Sequence, residues 1–259
     1  MEFASLPDFS KNLRSPLNTT MSILTPATPF DLVHVGKCGG RTIHQELAAA
    51  NLDFEHFHMR RPVARPDRRY VILARDPVAR FISAFNWRIH LYRTGRLPPA
   101  NASERISRMR HRAEEEFLFS FENANALAEQ LVPAGVFDVC PTSVLMGLIG
   151  QVPQGFQWYL GRLLDHIEPW QIAGVVCTER LAEDFARLFG FRPTRELNRP
   201  AGNISTHLSE QGRANLAREF LDEYATLKKL ADMADEAGVP MSMHYDPAQD
   251  AVPNRPTVA

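Results

Sequence analysis

Phe30-Asp31-Leu32-Val33-His34-Val35-Gly36-Lys37-Cys38-Gly39-Gly40-Arg41-Thr42 decides how the chain is read. The first six residues form a mostly apolar run of strand length that ends at a turn signal, which predicts a short, largely buried strand. Gly36 through Gly40 is a glycine-rich turn around Lys37. From Arg41 to about Asn51 a helix is predicted, with Ile43 and Leu47 four residues apart on one face. Strand, turn and helix in this order begin a unit whose next strand lies parallel to the first.

Outward from this stretch the pattern repeats. A second strand is expected around Phe54 to Met59, and Tyr70-Val71-Ile72-Leu73-Ala74 is the clearest strand in the chain. Asp76 can cap a helix with Pro77 at its first position, where a missing N–H costs nothing. Val78, Phe81, Ile82, Phe85, Ile89 and Tyr92 recur at helical spacing as its buried stripe, with Arg80, Ser83, Trp87 and His90 on another face. Residues 100–170 read as mostly helical, with breaks at Pro133, Pro141 and Pro153. Ile172 to Cys177 reads as a further buried strand, followed by a helix from about Glu179 to Phe189. A polar loop, Arg192 to Thr206, precedes one long amphipathic helix from about Ser209 to Ala237. Strands alternating with helices predict an α/β fold: a P-loop-like parallel sheet flanked by helices, in a single domain over 30–245. Residues 1–29 read as an irregular arm, and the Pro-rich 246–259 as a disordered tail.

A length of 259 residues suits one such domain, and 44% hydrophobic with 23% charged residues is the composition of an ordinary globular chain. A formal net charge of -1 argues against general nucleic-acid binding. The charge is unevenly spread, however: from Arg60 to Arg112, Asp67, Asp76 and Glu104 are the only acids among many arginines. Guanidinium groups form forked bonds to phosphate and sulfate, so an anion site and a solvated basic face are both open readings. Cys38, Cys140 and Cys177 are far apart and include no CxxC pair, which points to reduced thiols in a cytoplasmic setting rather than disulfides or zinc. The N-terminus has no long apolar run behind a basic start, so neither a signal peptide nor a membrane segment is expected.

The Lys37 turn is suited to phosphate, although an ordinary tight βα turn with a surface lysine is an equally open reading of it alone. Backbone N–H groups at a helix start point at an anion, the helix dipole favours negative charge, and glycines let the ligand approach. It is not the magnesium-dependent triphosphatase loop, which requires G-x-x-x-x-G-K-[ST]. Asp31 stands in place of the first Gly, and Cys38 follows the lysine where a hydroxyl would meet the hard cation. A second anion element follows the clearest strand. Arg75 lies at its C-terminal end, on the edge where open α/β sheets bind ligands, and Ser83 lies on the next helix; a structural Arg75–Asp76 ion pair with Ser83 incidental is the other open reading. Both elements serve one ligand only if they face a common crevice.

At this point a resemblance is specific. Val33 through Thr42 is similar to the 5′-phosphosulfate loop of Golgi-type carbohydrate sulfotransferases. Arg75-Asp76-Pro77-Val78-Ala79-Arg80-Phe81-Ile82-Ser83 resembles their 3′-phosphate motif in content and in Arg-to-Ser spacing. Val176 to Phe185 resembles a later strand-helix segment more faintly. The resemblance implies sulfuryl transfer from 3′-phosphoadenosine 5′-phosphosulfate (PAPS) to a hydroxyl, with no metal required. It implies that Lys37 stabilises the leaving phosphate, that Lys37, Cys38, Gly39, Gly40, Arg41 and Thr42 hold the 5′-phosphosulfate, and that Arg75 and Ser83 hold the 3′-phosphate. Cys38 and Arg41 depart from the small hydroxyl residues common in relatives.

Transfer to an alcohol needs a base of near-neutral pKa. In Glu55-His56-Phe57-His58-Met59, strand alternation places His56 and His58 on one side. The uronyl 2-O-sulfotransferases carry a similar His-x-His there, which implies His58 as base and His56 as helper. Ordinary strand-end histidines and a metal pair remain open readings of the residues themselves, and Glu55 is a fallback base. His34 is expected to be structural. Arg88, Arg93, Arg96, Arg105, Arg108 and Arg110 are candidates for binding an acidic glycan acceptor, or form a solvated face. The alternatives in other classes are a nucleotide kinase or NTPase, and a non-catalytic anion- or glycan-binding module.

Overall fold

A computed structural model describes residues 29–97, 104–131, 141–194 and 205–243. The expected arm and tail, Pro133, and most of the polar loop lie outside the described residues. The chain runs β1 (Phe30–His34), α1 (Gly40–Ala49), β2 (Phe54–Phe57), β3 (Arg69–Ala74) and α2 (Pro77–Thr94). It continues through α3 (Glu104–Phe119), α4 (Ala124–Glu129), α5 (Pro141–Met146), α6 (Phe156–Leu164), β4 (Ile172–Cys177), α7 (Leu181–Phe189), α8 (Glu210–Glu219) and α9 (Leu221–Glu236).

The four strands form one sheet in the order β2-β1-β3-β4, and every pairing is parallel. The expected α/β fold, a parallel sheet flanked by helices, is what the chain adopts. β1 and β4 are buried along their whole length, and in β3 every residue from Tyr70 to Ala74 is inaccessible. Such continuous apolar strands need cover on both faces, which is why they lack the alternation of a one-sided sheet. Helices supply the cover: Leu160 and Leu163 of α6, Phe185 and Leu188 of α7, and Leu227 and Leu230 of α9 join the strands in one core. A second apolar cluster joins α2, α3, α4 and α8 around Phe81, Phe85, Leu118, Leu127 and Leu216.

Strand order determines where the loops converge. From β1 the chain steps to β2 on one side, and β3 then takes the other side. Connections that leave in opposite directions open a crevice between the loops after β1 and β3, the topological switch point where such sheets take ligands. With all strands parallel, the residues after β1, β2 and β3 reach the same edge.

Three expectations need correction. The strand expected at Phe54 to Met59 stops at Phe57. The helix expected over 209–237 is two helices that meet at Phe220, whose ψ of 23° leaves the helical range. Packing breaks the period there. Phe220 is buried against the Phe81 ring, Tyr224 donates its O–H to Asp76 Oδ2 at 2.8 Å, and the Glu223 carboxylate accepts from the N–H of Phe156 at the start of α6. Finally, Arg80 is not on the polar face of α2 but wholly buried. Its Nη1 donates to Gln151 O at 2.8 Å and its Nη2 to Val152 O at 3.0 Å, with Glu223 Oε2 at 4.0 Å. A buried charge persists only where such partners replace water. Arg80→Met is expected to lower the unfolding free energy by about 3 kcal/mol, read from urea unfolding, because it strips two carbonyls and a buried carboxylate of their partner.

Candidate active site at the sheet edge

The turn after β1 is shaped by its glycines and by one strained lysine. Gly39, the residue before α1, has φ +73°, and a Cβ there would lie 2.5 Å from Leu181 Cδ1. At Gly40 a Cβ would lie 2.1 Å from the His34 ring, so the helix start and that imidazole fit together only around a glycine. The α1 start has no side-chain cap and no acid in its first turn, which leaves its positive end to a ligand. Lys37 is left-handed at φ 71° without being glycine, a conformation costing about 1–2 kcal/mol.

The turn and the second anion element meet. Arg75 Nη1 donates to Lys37 O at 2.9 Å, so the guanidinium braces the strained turn, and Arg75 Nε is buried with no hydrogen-bond partner. Lys37 Nζ lies 4.7 Å from the centroid of Trp87 on α2. Ser83 is one turn before Trp87, so the helix face carrying it is the one turned to Lys37. Among the described residues, neither Lys37 nor Arg75 has a carboxylate partner. Asp76, the nearest in sequence, accepts instead from Ala79 N at 2.7 Å and from Tyr224. Burial first, and then the Arg75 charge, bring the Lys37 ammonium down to about 8. Two cations with no carboxylate partner among the described residues form an arrangement that can hold an anion.

Two expected contacts are not open to a ligand. Cys38 donates its N–H back to Val35 O at 3.2 Å, and its side chain turns into the core, where burial pushes the thiol up to about 12. The Thr42 N–H donates to Gly39 O at 3.1 Å and its side chain is buried. Arg41 is exposed beside them at the helix start. Asp31, in the place of a triphosphatase glycine, is a strand residue; it accepts from Arg65 at 2.5 Å, far from the turn end of β1.

On the other side of β1 stand the histidines. His58 lies one residue past β2, and its Nδ1 donates to His34 O at 3.2 Å. A carbonyl only accepts, so this bond puts the proton on Nδ1 and leaves the Nε2 lone pair free. The His58 ring stacks on His34 at 4.0 Å. The His56 ring lies nearly parallel to that of His58, with centroids 5.9 Å apart. His56 Nε2 lies 3.0 Å from His34 Nδ1, and its ring is 4.5 Å from His44 of α1. His34, which sequence reasoning set aside as structural, stands beside both of these histidines. Burial, then the neighbouring imidazoles, lower His34 to about 2; burial and His44 lower His56 to about 4. Both are neutral at physiological pH. Tyr159 of α6 holds the next link: Met59, left-handed at φ 57°, donates its N–H to Tyr159 Oη at 2.9 Å, which fixes the chain where it leaves His58.

Of the arginines proposed for an acceptor, Arg88 is excluded. It is buried, with Nε and Nη2 donating to the two oxygens of Glu114 at 2.6 and 2.5 Å. Arg93, Arg96, Arg108 and Arg110 are exposed, and the Arg105 side chain lies outside what is described. Glu55 is occupied by Arg60 and Arg65, both at 2.7 Å, which holds its carboxyl below the usual range and makes it a poor base. His44, Tyr159 and Gln151, which packs beside Gly36, were beyond sequence reasoning, because each comes from an element whose placement no local pattern records.

Among the described residues no helix is long and apolar enough to cross a membrane. No protein-family model matches the chain, and neither a curated protein nor a solved structure matches it. The strain at Lys37 is directly measurable: Lys37→Gly removes a left-handed side chain and a buried charge, and is expected to raise urea stability by about 1 kcal/mol at pH 7.

Proposed function

We propose that this protein transfers a sulfuryl group from PAPS to a hydroxyl acceptor, most naturally on a carbohydrate. The observation that carries the reading is the pair of cations without a carboxylate, Lys37 and Arg75, on the same sheet edge as a histidine with a free Nε2. A doubly phosphorylated nucleotide supplies two anionic groups for such a crevice. One is placed at the Lys37 turn and the start of α1, the other at Arg75 and the Ser83 face of α2.

The chemistry follows from these positions. His58 Nε2 takes the proton of the acceptor hydroxyl as its oxygen attacks sulfur. The bond between sulfur and the bridging oxygen breaks, and its electron pair stays on the 5′-phosphate of 3′-phosphoadenosine 5′-phosphate. Lys37 and the N–H groups at the start of α1 meet that charge as it forms, which is when electrostatic stabilisation accelerates a reaction. The neutral His34 ring against His58 adds no repulsion when His58 becomes positive. No step calls for a metal, and Cys38, buried where the triphosphatase motif has its magnesium hydroxyl, supports that choice over a kinase. The exposed Arg93, Arg96, Arg108 and Arg110 are proposed to favour an acidic glycan.

The deciding experiment is an acceptor screen with radiolabelled PAPS that includes acidic polysaccharides, run with and without EDTA. His58→Ala is expected to abolish transfer while 3′-phosphoadenosine 5′-phosphate binds within about twofold of wild type. A fully active variant removes the proposed base. Nucleotide binding without His58-dependent transfer to any acceptor marks a binding module instead. Calorimetry is expected to show at least about tenfold weaker binding for Lys37→Ala and for Arg75→Ala; unchanged affinity in both overturns the site.

The affinity also carries a pH signature. Lys37 must be protonated to hold the anion, so binding is expected to be flat below pH 8 and to fall as pH rises through about 8, up to tenfold per unit. Lys37→Arg, which stays charged, is expected to remove that fall.

A further inference from the structure

We infer that Gln151 is a ligand contact of this site, its side-chain amide meeting the oxyanion held at the Gly36–Lys37 turn. The inference rests on the reading above for which anion is bound, and on the following geometry for where.

Gln151 sits on the loop before α6, and its φ of 73° is left-handed in a residue that is not glycine. A turn needing only that conformation is better served by glycine. The fold also commits a buried charge to holding it: Arg80, inaccessible within α2, donates to the carbonyls of Gln151 and Val152. The helix face that presents Ser83 and Trp87 to Lys37 thus also carries Arg80, which anchors the loop that presents Gln151.

The side chain is aimed at the anion turn. A Cβ placed on Gly36 would lie 3.5 Å from both the Cβ and the Oε1 of Gln151, so the amide packs directly on the residue before Lys37. Gln151 Oε1 is buried there, and among the described residues it has no hydrogen-bond partner. Turning the amide over exchanges oxygen for NH2 and leaves the same buried position unpartnered. Buried amide groups are rarely left so, because the missing bond is not compensated by water. Arg75 Nε is similarly unpartnered on the other side of the turn. An oxyanion at Lys37 gives Arg75 Nε, and the Gln151 amide once turned over, an acceptor. The neutral amide donates its N–H to a non-bridging oxygen, which under the proposed function belongs to the 5′-phosphosulfate, and it does so without adding a third charge to the Lys37–Arg75 pair.

Strain separates a ligand contact from a structural residue, since relieving it moves stability and affinity in opposite directions. Wild type, Gln151→Gly, Gln151→Glu and Lys37→Gly are titrated by calorimetry with 3′-phosphoadenosine 5′-phosphate and with inorganic pyrophosphate, and each is unfolded in urea. Gln151→Gly is expected to keep or raise the urea midpoint while binding both anions about ten- to a hundredfold more weakly. Gln151→Glu, which faces the anion with a carboxylate, is expected to lose more. Gln151→Gly binding within twofold of wild type, while Lys37→Gly loses affinity, overturns the inference and leaves the proposed function standing. Weaker binding accompanied by a lower urea midpoint makes Gln151 structural and also overturns it. If wild type binds pyrophosphate but not the nucleotide, and Gln151→Gly loses the former, the inference holds and the PAPS reading falls. A wild type that binds neither anion removes both.

Discussion

Lys37 and Arg75 meet at the edge of the sheet, and among the described residues no acid pairs with either. For scale, unit charges about 6 Å apart repel by roughly 3 kcal/mol at an effective dielectric of 20. In Lys37, burial first and the Arg75 charge second bring the ammonium down to about 8. Arg75 helps to hold the arrangement by donating to the Lys37 carbonyl, so the same guanidinium that repels the ammonium secures the backbone that carries it. An anion between them converts a cost into an attraction.

Around this pair the fold spends buried polar groups as scaffolding. Asp76 could neutralise Arg75, but it caps α2 and accepts from Tyr224 instead. Glu223 could enter the crevice, but it sits at the start of α6 near Arg80, where burial pushes its carboxyl up. Arg88, which could have been a third surface cation, is bound at both ends of its fork by Glu114. Asp76, Glu223 and Glu114 are thus committed to backbone N–H groups, to the Tyr224 hydroxyl or to a structural arginine. On the other side of β1, parallel pairing places Phe57 level with Val33, so His58 emerges beside His34 and can use its carbonyl. A histidine tautomer is in this way set by strand register.

Much of this was legible beforehand. The glycines around Lys37, Arg75 at the end of an apolar strand, and Asp76-Pro77 at a helix start are local signals, and the structure places each of them as the local chemistry demands. The His-x-His alternation also holds in direction, although β2 ends one residue before His58. What failed was any reading that assumed solvent. Arg88, Cys38 and Thr42 were assigned to ligands by their chemical type or by resemblance, Arg80 was set apart from the buried stripe of its helix, and all four are buried. The break at Phe220 was invisible for a related reason: the apolar period continues across it, and only contacts with Phe81 and with the start of α6 interrupt it.

By itself the sequence determined the element types, the parallel α/β class, and two of the groups that can meet an anion, because propensity, turn chemistry and hydrophobic period act between residues close in the chain. Tertiary structure alone decided that the Lys37 turn and Arg75 share one crevice, that His34 gathers with His56 and His58, and that Gln151 reaches Gly36. Those are consequences of strand order and of helices packing from distant segments, and burial energy is settled by neighbours in space that no local window contains.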